Sequence, residues 1–267
     1  MSDLRDRLRA LGLLATSASL DDLIALATKK RWGPAETFEH LADVEEKDRA
    51  RRGLERRTSR SRLEKFKLMA DFDWSWPTAI DRPLVDSLLS LDFLQGARNV
   101  VLVAPGGLGK TMIAKNIAHR DVLAGRSVLF LSAAQMLLDL GAQESSRALE
   151  RRLHYYAKVG LLVVDELGFL AFDNRNADLI FQVISRRYEK KSLVLTTNLA
   201  FADWHTVFPS ATCATALVER VVHHADIVKI DGESYRLRES KQDADTRSAR
   251  RQKTKTTTQS STSADQL

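Results

Sequence analysis

The sequence predicts an α/β fold: a mostly parallel sheet with helices on both faces, preceded by a small helical N-terminal domain. Three observations carry this. Residues 1 to about 67 show helical signals only. From about residue 80 onward, short and wholly apolar segments alternate with helical ones. The first of those segments is joined to its helix by a glycine-rich turn. Strands that are apolar throughout suit a sheet covered on both sides. A chain of 267 residues, 44% apolar and 28% charged, is long enough to bury such a core.

In the N-terminal part, Ser19-Leu-Asp-Asp22 has the shape of a capping box before the apolar residues Leu23, Ile24 and Leu26. Gly33-Pro34 opens a second helix with proline at its first position, and Phe38, Leu41 and Val44 fall on one face. That helix runs on into a basic stretch, where Gly53 is a weak point costing up to ~1 kcal/mol relative to alanine. Phe72-Asp-Trp-Ser-Trp-Pro77 is aromatic and ends in proline, so it reads as a connector. Trp74 and Trp76 are expected to plug the joint between the N-terminal module and the next domain rather than to stack on bases.

The strands expected next are Asn99–Val103, Ser127–Leu131, Leu161–Val164, Leu193–Leu195 and Ile227–Ile230. Helices are expected from Lys110 to about Ala124, over Arg147–Lys158, and from about Asn176 to Arg187. This divides the chain into a helical module with a basic helix (1–67), a connector with a helix leading into the core (68–98), the core (99–239) and a disordered basic tail (240–267).

Positive charge is concentrated. The net charge is +6, yet the segment Lys47–Lys67 alone carries +7 and the last 28 residues +3. An excess so local and so lopsided is the footprint of a polyanion-binding surface, with Arg51, Arg52, Arg56, Arg57, Arg60 and Arg62 as the DNA-binding candidates. Such contacts to phosphates give affinity without reading bases. No apolar run approaches the ~18 residues of a membrane span, and the charged N-terminus lacks a signal peptide's apolar stretch. One cysteine, Cys213, excludes an internal disulfide framework and a cysteine-built zinc site. The expectation is a cytoplasmic protein without a membrane partner.

The turn after the first strand reads Ala104-Pro-Gly-Gly-Leu-Gly-Lys-Thr111. A loop that cradles phosphates follows G-x-x-x-x-G-K-[ST] between a strand and a helix, and both flanks are expected here. Residues Ala104, Pro105, Gly106, Gly107, Leu108, Gly109, Lys110 and Thr111 are therefore the ATP-binding candidates. Gly107 and Gly109 let backbone N–H groups turn inward, Lys110 reaches the β- and γ-phosphates, and Thr111 offers its hydroxyl to Mg²⁺. The first glycine of the pattern is replaced by Ala104, which is tolerated at negative φ and strained at positive φ.

Two further strands end in polar groups. Leu161-Leu-Val-Val-Asp-Glu166 delivers Asp165 to the carboxyl edge of the sheet, to hold Mg²⁺ directly or through water. Glu166 beside it would orient and deprotonate an attacking water. Leu193-Val-Leu-Thr-Thr-Asn198 brings an amide to the same edge, where Asn198 bonds a water or the γ-phosphate, or else caps the following turn. His223-His224 invites a metal reading, but adjacent side chains on a helix diverge by ~100°, which points to surface or interface residues instead.

Together these elements resemble the AAA+ ATPases, with their Walker A loop, Walker B strand with catalytic glutamate, and sensor 1 asparagine. The sequence is similar in particular to the IstB-type ATP-binding proteins of insertion sequences, relatives of the DnaC-type helicase loaders. That resemblance runs from about Arg51 to Arg238. It includes Phe72-Asp-Trp-Ser-Trp76, Asp165-Glu-Leu-Gly168, Arg187-Tyr188, Asp203-Trp204, Ala216-Leu-Val-Glu-Arg-Val-Val-His-His224 and Gly232-Glu-Ser-Tyr-Arg-Leu-Arg238.

The resemblance implies an AAA+ P-loop core and a helper ATPase of transposition. Such an enzyme assembles on duplex DNA with ATP and engages a partner transposase in target selection and insertion. It also implies a homo-oligomer whose subunits share nucleotide sites, a neighbour supplying an arginine. Arg220 matches that position, with Arg186 and Arg187 as lesser candidates, and no sensor 2 arginine is assigned because the chain ends soon after Arg238. The alternatives are a helicase loader acting in replication, or a nucleotide-gated DNA-binding scaffold with little hydrolysis.

Overall fold

A computed structural model describes residues 2–169 and 171–240. The tail expected to be disordered lies, from Lys241 on, outside the described residues. The chain divides into two compact units with the break at Arg60/Ser61.

The first unit is helical: α1 (Ser2–Ala10), α2 (Leu14–Ala18), α3 (Leu20–Lys30) and α4 (Pro34–Ser61), the last running through Gly53 without a break. Two expectations fail here. Ser19 precedes α3, but its hydroxyl donates back to the Ala15 carbonyl at 2.9 Å and caps nothing. This happens because α2 ends directly before α3 and offers a nearer acceptor. Phe38 is 70% exposed, since the inward stripe of α4 runs through Thr37, Leu41, Val44 and Glu45. Glu45 is buried on that stripe and accepts the Thr16 backbone N–H at 2.8 Å.

The second unit is built on a six-stranded sheet in the order β1-β6-β2-β5-β4-β3. Its strands are β1 (Ala79–Ile80), β2 (Asn99–Val103), β3 (Val128–Ser132), β4 (Leu161–Leu167), β5 (Leu193–Thr197) and β6 (Ala225–Asp231). All neighbours are parallel except β1, which pairs antiparallel with β6 through Ala79↔Asp231 and Ile80↔Ile230. The sequence reading misses β1, because two residues show no periodicity.

Alternation along the strands assigns two faces. Val101, Leu162, Val164 and Leu195 join one core cluster with Leu140, Tyr156, Ile180 and Leu217. Those partners come from α7 (Ala133–Gly141), α8 (Ser146–Lys158), α9 (Asn174–Arg187) and α10 (Ala211–Val222). Val100, Leu102, Val163 and Val194, fully buried, turn to the other face, where α6 (Lys110–Leu123) packs, with α5 (Arg82–Ser90) against it. Capping explains the helix starts. Asp81, Ser145, Asp173 and Ser210 each accept a backbone N–H of the first turn, and Ser132 with Gln135 forms a full capping box on α7. Residues 61–67 go with this unit, since the Asn116 amide of α6 donates to the Lys67 carbonyl at 3.0 Å.

Candidate nucleotide-binding site

β2 hands the chain over at Ala104, which is buried, has a negative φ and donates its N–H to the Thr197 carbonyl at 3.1 Å. Alanine at this position therefore leaves the loop unstrained. The left-handed turns fall instead on Gly107 (φ +83°) and Gly109 (φ +88°), and Gly109 stands at the N-cap of α6. The first N–H groups of α6 are thus unpaired within the helix and face the loop, a ready seat for an anion. Lys110 Nζ reaches over the loop to the carbonyls of Ala104 (2.6 Å) and Pro105 (2.8 Å). Partial burial pulls its pKa below the usual lysine value, and Arg236 adds to that while Asp165 and Glu166 oppose it.

β4 and β5 bring the remaining groups to the same edge. Asp165, 7% exposed, accepts from Thr111 Oγ1 at 3.1 and 3.0 Å and from the Thr196 hydroxyl. The register between β4 and β5 slips between Val164 and Leu167, and Glu166 inside that irregularity has φ +61°. A left-handed glutamate is strained, and the strain turns its side chain outward into the pocket. Thr196 fixes the turn by accepting the Glu166 N–H at 2.9 Å. Asn198 is exposed and lines the same pocket, just past β5.

The pocket, about 520 Å³, also has walls that sequence reasoning does not anticipate. One is Phe72, Asp73 and Trp76; the other is Tyr235 and Arg236, from the helical residues 235–240. Trp76 Nε1 donates to the Glu233 carbonyl at 2.8 Å, and the Arg238 guanidinium stacks 4.4 Å from the Trp76 ring. Tyr235 donates its N–H to the Gly107 carbonyl at 3.0 Å. Phe72 lies so close over Gly109 that an added Cβ would meet its ring at 2.6 Å. The aromatic connector, read from sequence as a plug for the N-terminal module, therefore lines the phosphate loop of its own unit.

The family described as IstB-like ATP binding protein matches residues 6–243. The chain belongs to that family. A protein of insertion sequence IS21 from Pseudomonas aeruginosa, named for ATP binding, is 35% identical over 90% of this chain and 91% of its own. Its counterpart in IS232 of Bacillus thuringiensis subsp. berliner is 32% identical over 88% and 94%. The crystal structure of DnaI shares the fold, with a TM-score of 0.50 at 19% identity over 62% of this chain and 89% of that one. The fold of this IstB-like chain is the α/β P-loop fold of the AAA+ class.

The arginine candidates of this IstB-like chain separate clearly. Arg187 is 1% exposed and donates to the carbonyls of Tyr156, Ala157, Val159, Gly160 and Ser192, so it braces the core and reaches no neighbour. Arg186 is held by Glu150 in a two-pronged ion pair at 2.6 and 2.8 Å. Arg220 lies over the Phe181 ring at 4.6 Å near the end of α10, beside the start of β2, where Asn99 Nδ2 reaches the Val221 carbonyl at 3.0 Å. The phosphate loop follows the other end of β2, ~13–16 Å away at ~3.3 Å per residue.

On α4, Arg51 is tied to Asp48 and Glu55 (2.6 and 2.7 Å) and Arg52 to Asp48 (2.6 Å). Arg56 and Arg60 are exposed one turn apart on one side of the helix. Arg57 is half-buried, and Arg62 is exposed with φ +57°.

Among the described residues, no helix is long and apolar enough to cross a membrane.

Proposed function

We propose that the chain is a cytoplasmic, Mg²⁺-dependent ATPase of an insertion sequence. It assembles on duplex DNA with ATP and assists a partner transposase in target selection and DNA insertion. The observation that carries this reading is the convergence, in one pocket, of Lys110, Thr111, Glu166 and Asn198, with Asp165 directly behind on the Thr111 hydroxyl, in a chain whose relatives belong to insertion sequences. That setting favours transposition over helicase loading.

ATP is seated with its phosphates on the N–H groups of Gly107–Thr111 and its base toward Phe72, Trp76 and Tyr235. Lys110 turns from its loop carbonyls to the β- and γ-phosphates. The Thr111 hydroxyl against the Asp165 carboxylate is a pair of hard-oxygen donors beside the phosphates, which suits Mg²⁺. Bound there, the ion would draw charge from the phosphate oxygens. Glu166, free of the metal pair, orients a water in line with the γ-phosphorus and takes its proton, while Asn198 fixes that water or a γ-oxygen. Arg220, at the far edge of its own sheet, serves a neighbouring subunit's nucleotide, which ties turnover to a homo-oligomer. Arg56 and Arg60 supply the phosphate contacts to DNA, with Arg51, Arg52, Arg57 and Arg62 around them.

Particle mass measured on short duplex and single-stranded DNA, with ATP or ADP, tests the reading. Large assemblies on duplex with ATP, absent for Lys110→Ala, are expected. A nucleotide-indifferent monomer that ignores duplex would overturn it in favour of a helicase partner.

A further inference from the structure

The metal reading of His223 and His224 fails in sequence only if both stand inside a helix, and they do not. α10 ends at Val222; His223 is its C-cap and His224 lies in the turn before β6. The two rings come to rest 3.9 Å apart between centroids, tilted by 46°. Glu189, with φ +58° just past α9, meets both: its Oε1 is 3.8 Å from His223 Nδ1 and 3.7 Å from His224 Nε2. One donor atom from each of the three residues falls within 4.8 Å of the others.

We propose that Glu189, His223 and His224 form a binding site for one Zn²⁺ ion, at the edge of the sheet opposite the phosphate loop. Tetrahedral zinc at ~2.0–2.2 Å from its ligands sets donor atoms roughly 3.3–3.6 Å apart. The two Glu189 distances exceed that by a few tenths of an ångström, within reach of rotamer adjustment in exposed side chains. Water completes the shell. Two imidazoles and a carboxylate are a donor set for a borderline metal.

The backbone beneath is fixed. Asn99 donates its N–H to the His224 carbonyl at 2.9 Å, and Lys190 donates to the Arg187 carbonyl at 2.9 Å, so ligation does not have to order a loop. The Tyr188 hydroxyl stands 2.6 Å from His223 Nδ1. It has to give up that contact to the ion, and its hydroxyl remains beside the site, outside the shell.

The test is a zinc titration of the untagged, chelator-stripped full chain against a competing chromogenic indicator, without nucleotide and with excess Mg²⁺. One Zn²⁺ per chain at micromolar affinity is expected. Glu189→Gln and His224→Asn should each weaken binding at least about tenfold, while Cys213→Ser and Tyr188→Phe retain it. Melting in chelator reports whether each variant is folded. No zinc uptake by the wild type, or equal affinity in a folded His223→Asn/His224→Asn double variant, would overturn the site.

Discussion

The Thr111 hydroxyl donates to both oxygens of the Asp165 carboxylate, at 3.1 and 3.0 Å, and so joins the first turn of α6 to the end of β4. Thr111→Val keeps the shape and removes the donor. The expected result is a folded protein whose ATP turnover falls about tenfold or more and needs higher Mg²⁺ to saturate. Steady-state hydrolysis across a Mg²⁺ series measures both.

Glu166 separates stability from activity. Its φ of +61° costs of order 1 kcal/mol that glycine would not incur. Glu166→Gly should therefore raise the melting temperature while abolishing turnover. Glu166→Gln should leave melting and ATP binding as they are and lower turnover about a hundredfold. Turnover unaffected by the glutamine would point to the scaffold reading instead.

In the proposed site Lys110 meets the phosphates as a cation, and burial sets its pKa below the ordinary 10.5. ATP affinity should thus be full at neutral pH and fall as pH rises through that lowered value, earlier than for an exposed lysine. Lys110→Arg, charged throughout, should bind more weakly at neutral pH but lose this alkaline dependence. Equilibrium binding of a fluorescent ATP analogue from pH 7 upward tests the sign.

The phosphate loop was legible because strand, turn and helix are contiguous, and each signals locally in Asn99–Val103, Gly107–Gly109 and the run from Lys110. The placement of Asp165 and Asn198 at one edge of the sheet was legible for the same reason, as polar ends of apolar runs. The pocket walls were not. Nothing local in Phe72 or Trp76 says that they meet Gly109 and Glu233, since those contacts join distant segments. Helix ends misled twice: Ser19 found a nearer acceptor in Ala15, and the stop at Val222 brought together two histidines that a continuing helix would have parted. Arg187 looks in sequence like any charged helix end, and only the five carbonyls around it reveal its role.

Arg187 and Arg220 should fail differently. Arg187→Ala strands buried carbonyls and should cost about 3 kcal/mol or more, visible in denaturant melts. Arg220→Ala should melt like the wild type and lose turnover in assemblies. Mixing it with Glu166→Gln should restore part of the activity, because one subunit then supplies the glutamate and another the arginine.

Arg56 and Arg60 are free of the acids that hold Arg51. Replacing each with alanine should reduce the slope of log affinity for duplex DNA against log salt by ~0.9. Arg51→Ala should change it less, since Asp48 and Glu55 already neutralise that charge. Binding isotherms at several salt concentrations distinguish the two sets.

The pocket closes with residues near the far end of the core: Tyr235 on Gly107 and Arg238 on Trp76. On the ribosome, the loop that will hold phosphate emerges long before the wall that completes its seat. At ~5–20 residues per second the delay is on the order of ten seconds. Nascent chains pass that interval with this side of the pocket open, so the pocket is complete only once Tyr235 and Arg238 have emerged. A message truncated just after β6 would yield a protein with the whole glycine-rich loop, Ala104 to Thr111, and no complete pocket.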